Sequence, residues 1–69
     1  MDCFNIRLKE IRKERGATLK AVSEHLGISV RAYQYYESGE RYPDFHGLIA
    51  LADYLDVSID YLVGRTDAR

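Results

Sequence analysis

The chain has 69 residues, 46% of them apolar and 30% charged, a balance that argues against disorder. That length allows one small domain and excludes a second one, or a cofactor-binding α/β unit with helices on both faces of a sheet. The formal net charge is −1, and Cys3, the lone cysteine, excludes an internal disulfide.

No apolar run approaches the ~20 residues of a membrane-spanning helix. No basic start leads into an apolar stretch either, so the expectation is a soluble, cytoplasmic domain without a secretory signal. A domain of this size buries only ~60% of its unfolded surface and needs tight helix packing or a partner subunit.

The apolar spacing is helical throughout. Phe4, Leu8 and Ile11 fall at i, i+4, i+7, with Asp2 as a candidate N-cap and Gly16 as the stop. Thr18 caps a second helix whose Leu19, Val22 and Leu26 share a stripe, and Gly27 ends it. Ser29 then opens a third helix almost at once, with Tyr33 and Tyr36 facing inward. Ser38 and Gly39 break that helix, and Pro43 forbids its continuation. Asp44 caps a fourth helix carrying Leu48, Leu51, Ala52 and Leu55, and Ser58 caps a short fifth with Ile59 and Leu62, closed by Gly64. The expected fold is an all-α bundle of five short helices, one domain over residues 1–69.

Two joints share a grammar. Leu26-Gly27-Ile28-Ser29 and Leu55-Asp56-Val57-Ser58 each read as last core residue, turn residue, buried aliphatic and N-cap. Only the first suits a polyanion, because Asp56 and Asp60 beside the second repel phosphate. Charge agrees with that choice. Residues 1–41 hold eight basic side chains against six acidic ones, net +2, whereas residues 42–69 hold two against five, net −3.

The tight joint within residues 18–37 forces the second helix to cross the first steeply and protrude, the shape that enters a DNA major groove. With Tyr33 and Tyr36 inward, the outward face carries Arg31, Gln34, Tyr35 and Ser38 at i, i+3, i+4, i+7, with Val30 beside them. Arg grips guanine O6 and N7 through two hydrogen bonds, Gln does likewise with adenine, and Val meets a thymine methyl. Thr18 and Ser29 set hydroxyls and helix N-termini where a phosphate accepts bonds.

Phe4, the run from Arg7 to Arg12, Gly16, Leu26-Gly27-Ile28-Ser29, Tyr36-Glu37-Ser38-Gly39, Pro43, Leu51-Ala52 and Val57-Ser58-Ile59-Asp60-Tyr61-Leu62, taken in order, resemble the phage-repressor (Xre-like, Cro-type) helix-turn-helix family along nearly the whole chain. The resemblance implies a lambda-repressor-like bundle. It places Thr18 and Leu19 on phosphate, and Val30, Arg31 and Tyr35 on base edges. Ser38, Gly39 and Arg41 fall in a loop that holds the DNA backbone, and Arg12 and Glu37 match a buried ion pair between the first and third helices. Leu19 stands where the family usually has Gln, Ala21 departs from a capping box, and tyrosine is unusual at position 35.

The basic first helix (Arg7, Lys9, Lys13, Arg15) reads as a solvated face with one or two residues near the DNA backbone. Ile49, Tyr61 and Val63 remain after the core is assigned, and they are candidates for a homodimer contact. One reading helix covers few base pairs, so a two-fold dimer on a palindromic operator is expected, with half-sites ~34 Å apart. Cys3, His25 and His46 lack zinc-site spacing, and no nucleophile–base arrangement or phosphate loop occurs. Enzyme, metal and cofactor readings therefore fall away, and no small-molecule effector is indicated. The expectation is a sequence-specific transcriptional repressor. The alternative is a protein-interaction module, antitoxin-like or adaptor, with a protein partner and weak DNA binding.

Overall fold

A computed structural model describes residues 3–69 and shows five helices among them: α1 Phe4–Glu14, α2 Leu19–Leu26, α3 Val30–Ser38, α4 Phe45–Leu55 and α5 Ile59–Leu62. The all-α order follows the spacing. Four caps are built as the sequence predicts: the side chains of Thr18, Ser29, Asp44 and Ser58 accept hydrogen bonds from the backbone N–H three residues on. Asp2, expected to cap α1, lies outside the described residues. Cys3 takes the cap position, and its side chain makes no capping bond.

The core gathers one stripe from every helix: Phe4, Leu8 and Ile11 of α1, Val22 of α2, Tyr33 of α3, Leu51, Ala52 and Leu55 of α4, and Leu62 of α5. Each of the larger aliphatic side chains and Phe4 contributes ~1.5–3 kcal/mol on burial. The α2–α3 pair sits between α1, which packs on α3, and α4, which packs on α2; α5 joins α1 to α4. Gly47 is required by close approach: a Cβ there would lie 2.8 Å from Pro43 Cβ.

Arg7 of α1 and Arg15, the residue that caps its C-terminus, are structural, which corrects the solvated-face reading. Arg7 donates from Nη1 to the carbonyls of Tyr61 at 2.8 Å and Thr66 at 2.5 Å, and from Nη2 to Asp67 Oδ1 at 2.6 Å. Arg15 Nε donates to the Leu55 carbonyl at 2.9 Å, at the open end of α4. Tyr61 is also corrected. Expected among the surface residues, it is 9% exposed, under the guanidinium of Arg7 at 4.6 Å from the ring centroid. Its burial by α1 and the C-terminal segment removes it from the candidate dimer surface, whereas Ile49 and Val63 stay half-buried.

Candidate nucleic-acid interface

The orientation of α3 is set from inside. Arg12 Nε and Nη2 donate to the two carboxylate oxygens of Glu37 at 2.6 and 3.3 Å, and Arg12 Nη1 donates to the Ala17 carbonyl at 2.9 Å. The Tyr33 hydroxyl donates to Glu37 Oε2 at 2.6 Å. This fork geometry ties α1, the entry to α2 and the last turn of α3 into one network. The bond to Glu37 holds the Arg12 guanidinium above its ordinary value. Burial first, and then the bond to Glu37, push the Tyr33 phenol well above its own. Arg12 and Tyr33 therefore both keep their protons at neutral pH.

With that side anchored, the opposite face of α3 stands clear. Val30, Arg31, Gln34 and Ser38 are exposed and Tyr35 is half-buried. Arg31 Nε donates to the Tyr35 hydroxyl oxygen at 3.4 Å, and the Arg41 guanidinium lies 4.7 Å above the Tyr35 ring. Gly39, at φ 84°, turns the chain out of the helix. Its N–H, together with those of Glu40 at 3.1 Å and Arg41 at 3.2 Å, then donates back to the Tyr35 carbonyl. Ser38 Oγ donates to that same carbonyl at 3.1 Å and accepts from the Glu40 N–H at 3.3 Å. Glu40 brings the one acid to this groove, beside Arg31, Gln34 and Ser38.

Two helix N-termini flank the face. Thr18 Oγ1 accepts from the Ala21 N–H and Ser29 Oγ from the Ala32 N–H, each at 3.0 Å. Each hydroxyl keeps its own proton to donate outward, next to the leading amides that a helix leaves unpaired. The side chain of Leu19 packs on the core, so only its amide faces that position. Lys9 and Lys13 are exposed and line a shallow hollow with Gln34 and Ser38. They are thus the part of basic α1 that lies beside the face. Their i, i+4 spacing was visible in the sequence, but not which side of α1 met α3. His25 stacks on Tyr54 at 4.4 Å between centroids, and His46 lies against Phe45 at 6.0 Å, both away from α3's outer face.

A helix-turn-helix family model matches residues 8–62. The chain is 43% identical over 60 residues to the HTH-type transcriptional regulator YqaE of Bacillus subtilis, covering 87% of this chain and 52% of that protein. It is 42% identical over 59 residues to the cryptic phage CTXphi transcriptional repressor RstR of Vibrio cholerae, covering 86% and 53%. A crystal structure of a transcriptional regulator from Listeria innocua superposes with a TM-score of 0.83 at 43% identity, over 88% of this chain and 57% of that one. The chain spans about half the length of the curated relatives it matches. The match extends from the second turn of α1 to the end of α5 and includes both helices of the joint and the outward face of α3, so the chain belongs to the Xre-like, phage-repressor helix-turn-helix family.

Proposed function

We propose that this chain is the DNA-binding unit of a transcriptional regulator, a repressor, and that it reads double-stranded DNA by setting α3 in the major groove. One observation carries the reading. Val30, Arg31 and Gln34 project from a helix whose inner side is fixed by Arg12, Glu37 and Tyr33, between two capped helix N-termini. Arg31 reads guanine, Gln34 adenine, and Val30 meets a thymine methyl. Thr18, Ser29, Ser38, Arg41 and the amides of Leu19 and Gly39 fix register on phosphates, and Lys9 and Lys13 add sequence-independent attraction.

A homodimer on an inverted repeat is the form that gives one short helix useful specificity. Ile49 and Val63 remain its candidate contacts, and Phe45, 67% exposed, stands one turn before Ile49 on α4. Selection of duplexes from a random-sequence library at ~0.15 M salt tests the whole reading. An enriched inverted repeat with half-sites ~34 Å apart supports dimeric readout, and a single half-site supports a monomer. No enrichment by folded protein overturns it in favour of a protein-interaction module.

A further inference from the structure

We propose that Tyr35 is a positioning residue: its hydroxyl aims Arg31 at a guanine while its ring holds Arg41 for a neighbouring phosphate. The inference rests on the groove-reading role of α3 proposed above and assigns Tyr35 a task other than reading a base itself. The Tyr35 hydroxyl oxygen accepts from Arg31 Nε at 3.4 Å. A guanidinium engaged through Nε has its terminal Nη1 and Nη2 fork left over, which is the pair of donors that matches guanine O6 and N7. An unheld arginine samples many rotamers and loses that freedom on binding, so a partner one helical turn away lowers the ordering cost.

The ring itself lies under the Arg41 guanidinium at 4.7 Å. Stacking on an aromatic face occupies no N–H, so all five Arg41 donors stay available at the edge of the stack. The backbone of Tyr35 completes the coupling. Its carbonyl collects the N–H groups of Gly39, Glu40 and Arg41, which hinges the loop onto the residue that holds both arginines. Substituting the side chain leaves those backbone bonds in place. Tyr35 also lies outside the buried core, so substitution there is expected to leave the fold intact.

The two halves of the role separate by substitution. Tyr35→Phe keeps the ring under Arg41 and deletes the acceptor for Arg31; Tyr35→Leu deletes both. The probe is the duplex that the 69-residue chain itself enriches from the library, together with a second duplex changed at the base pair where Arg31→Ala ceases to discriminate. The measurements are the affinity for each duplex and the slope of log affinity against log salt.

For Tyr35→Phe the expected result is a loss of about tenfold in discrimination at that base pair with the salt slope unchanged. For Tyr35→Leu the expected result is the same loss with a slope shallower by about one. Full discrimination retained by Tyr35→Phe overturns the positioning role and leaves the groove-reading role standing. Equal weakening on both duplexes also overturns it, since Tyr35 is then a plain contact. No enrichment by the parent chain overturns the groove-reading role first, and this inference with it.

Discussion

The joint between α2 and α3 and the joint between α4 and α5 are nearly the same object. In each, one residue turns left-handed, Gly27 at φ 71° and Asp56 at φ 57°. The next N–H, of Ile28 or Val57, then donates five residues back, to Ser23 or Ala52, at 3.0 Å in both. A serine then caps the helix beyond, Ser29 on Ala32 and Ser58 on Tyr61, again at 3.0 Å in both. The helices themselves differ. The first joint launches a nine-residue helix with a free outer face, whereas the second launches a four-residue helix whose Tyr61 and Leu62 are buried. The turn is a generic corner. Whether it serves a partner depends on what the next helix leaves uncovered and on how that helix is held down.

The means of holding differ most, so the largest expected effect lies there. Glu37→Ala strands Arg12 and the Tyr33 hydroxyl beneath α3, and we expect a loss of ~3–5 kcal/mol in unfolding free energy, read by urea denaturation. A loss under ~1 kcal/mol would mean that apolar packing, rather than the Arg12–Glu37–Tyr33 network, holds α3. Function should divide along the same line. Arg31→Ala should cost ~1–3 kcal/mol of binding to the selected duplex with its melting temperature unchanged, while Asp60→Ala at the start of α5 should leave discrimination unaltered. Specificity that moves with Asp60 would reverse the roles of the two joints.

Backbone conformation gives a smaller contrast. A Cβ on Gly27 meets nothing within 4 Å, so Gly27→Ala carries only the left-handed penalty, ~1–2 kcal/mol by thermal or urea unfolding. Asp56 already bears that conformation, and Asp56→Gly should change stability by less than ~0.5 kcal/mol, relief of strain being offset by a freer unfolded chain. The smallest effect concerns acid. Arg69 donates to both carboxylate oxygens of Glu14, one bond at 2.6 Å, and this holds the Glu14 carboxyl below its ordinary 4.5. The contribution is fully present above that value and fades as pH falls through the lowered one. Arg69→Ala should therefore lower the melting temperature slightly at ~pH 6 and leave it unchanged at ~pH 3, which reduces the drop between the two.

Local chemistry was legible in the sequence, and distant chemistry was not. Thr18, Ser29, Asp44 and Ser58 announce their helices because a cap needs only its own next three residues. The shared face of Arg31 and Tyr35 comes from i, i+4 spacing in the same way. Arg7 and Arg15 misled because their partners are carbonyls and a carboxylate 40 to 60 residues away, with no mark in the neighbouring sequence. Tyr61 misled because a four-residue helix is too short for spacing to define one buried side, and α1 covers it from afar. The hold of Tyr35 on Arg41 was hidden for a third reason: it crosses a left-handed turn, where helical periodicity no longer applies.

The Arg7 bonds carry a consequence for how the chain comes apart. They span 54 to 60 residues, against 25 for Arg12 to Glu37. Closing the longer loop costs only ~0.7 kcal/mol more than closing the shorter one, because closure entropy grows with the logarithm of length. Nearly all that the distant clasp gains is therefore kept as cooperativity. α5 has little internal structure to sustain it and cannot detach while α1 remains, and α1 cannot lift without releasing Tyr61. Amide exchange in the first and last helices should accordingly report one shared opening event, and the molecule should melt as a single unit rather than fray from its shortest helix.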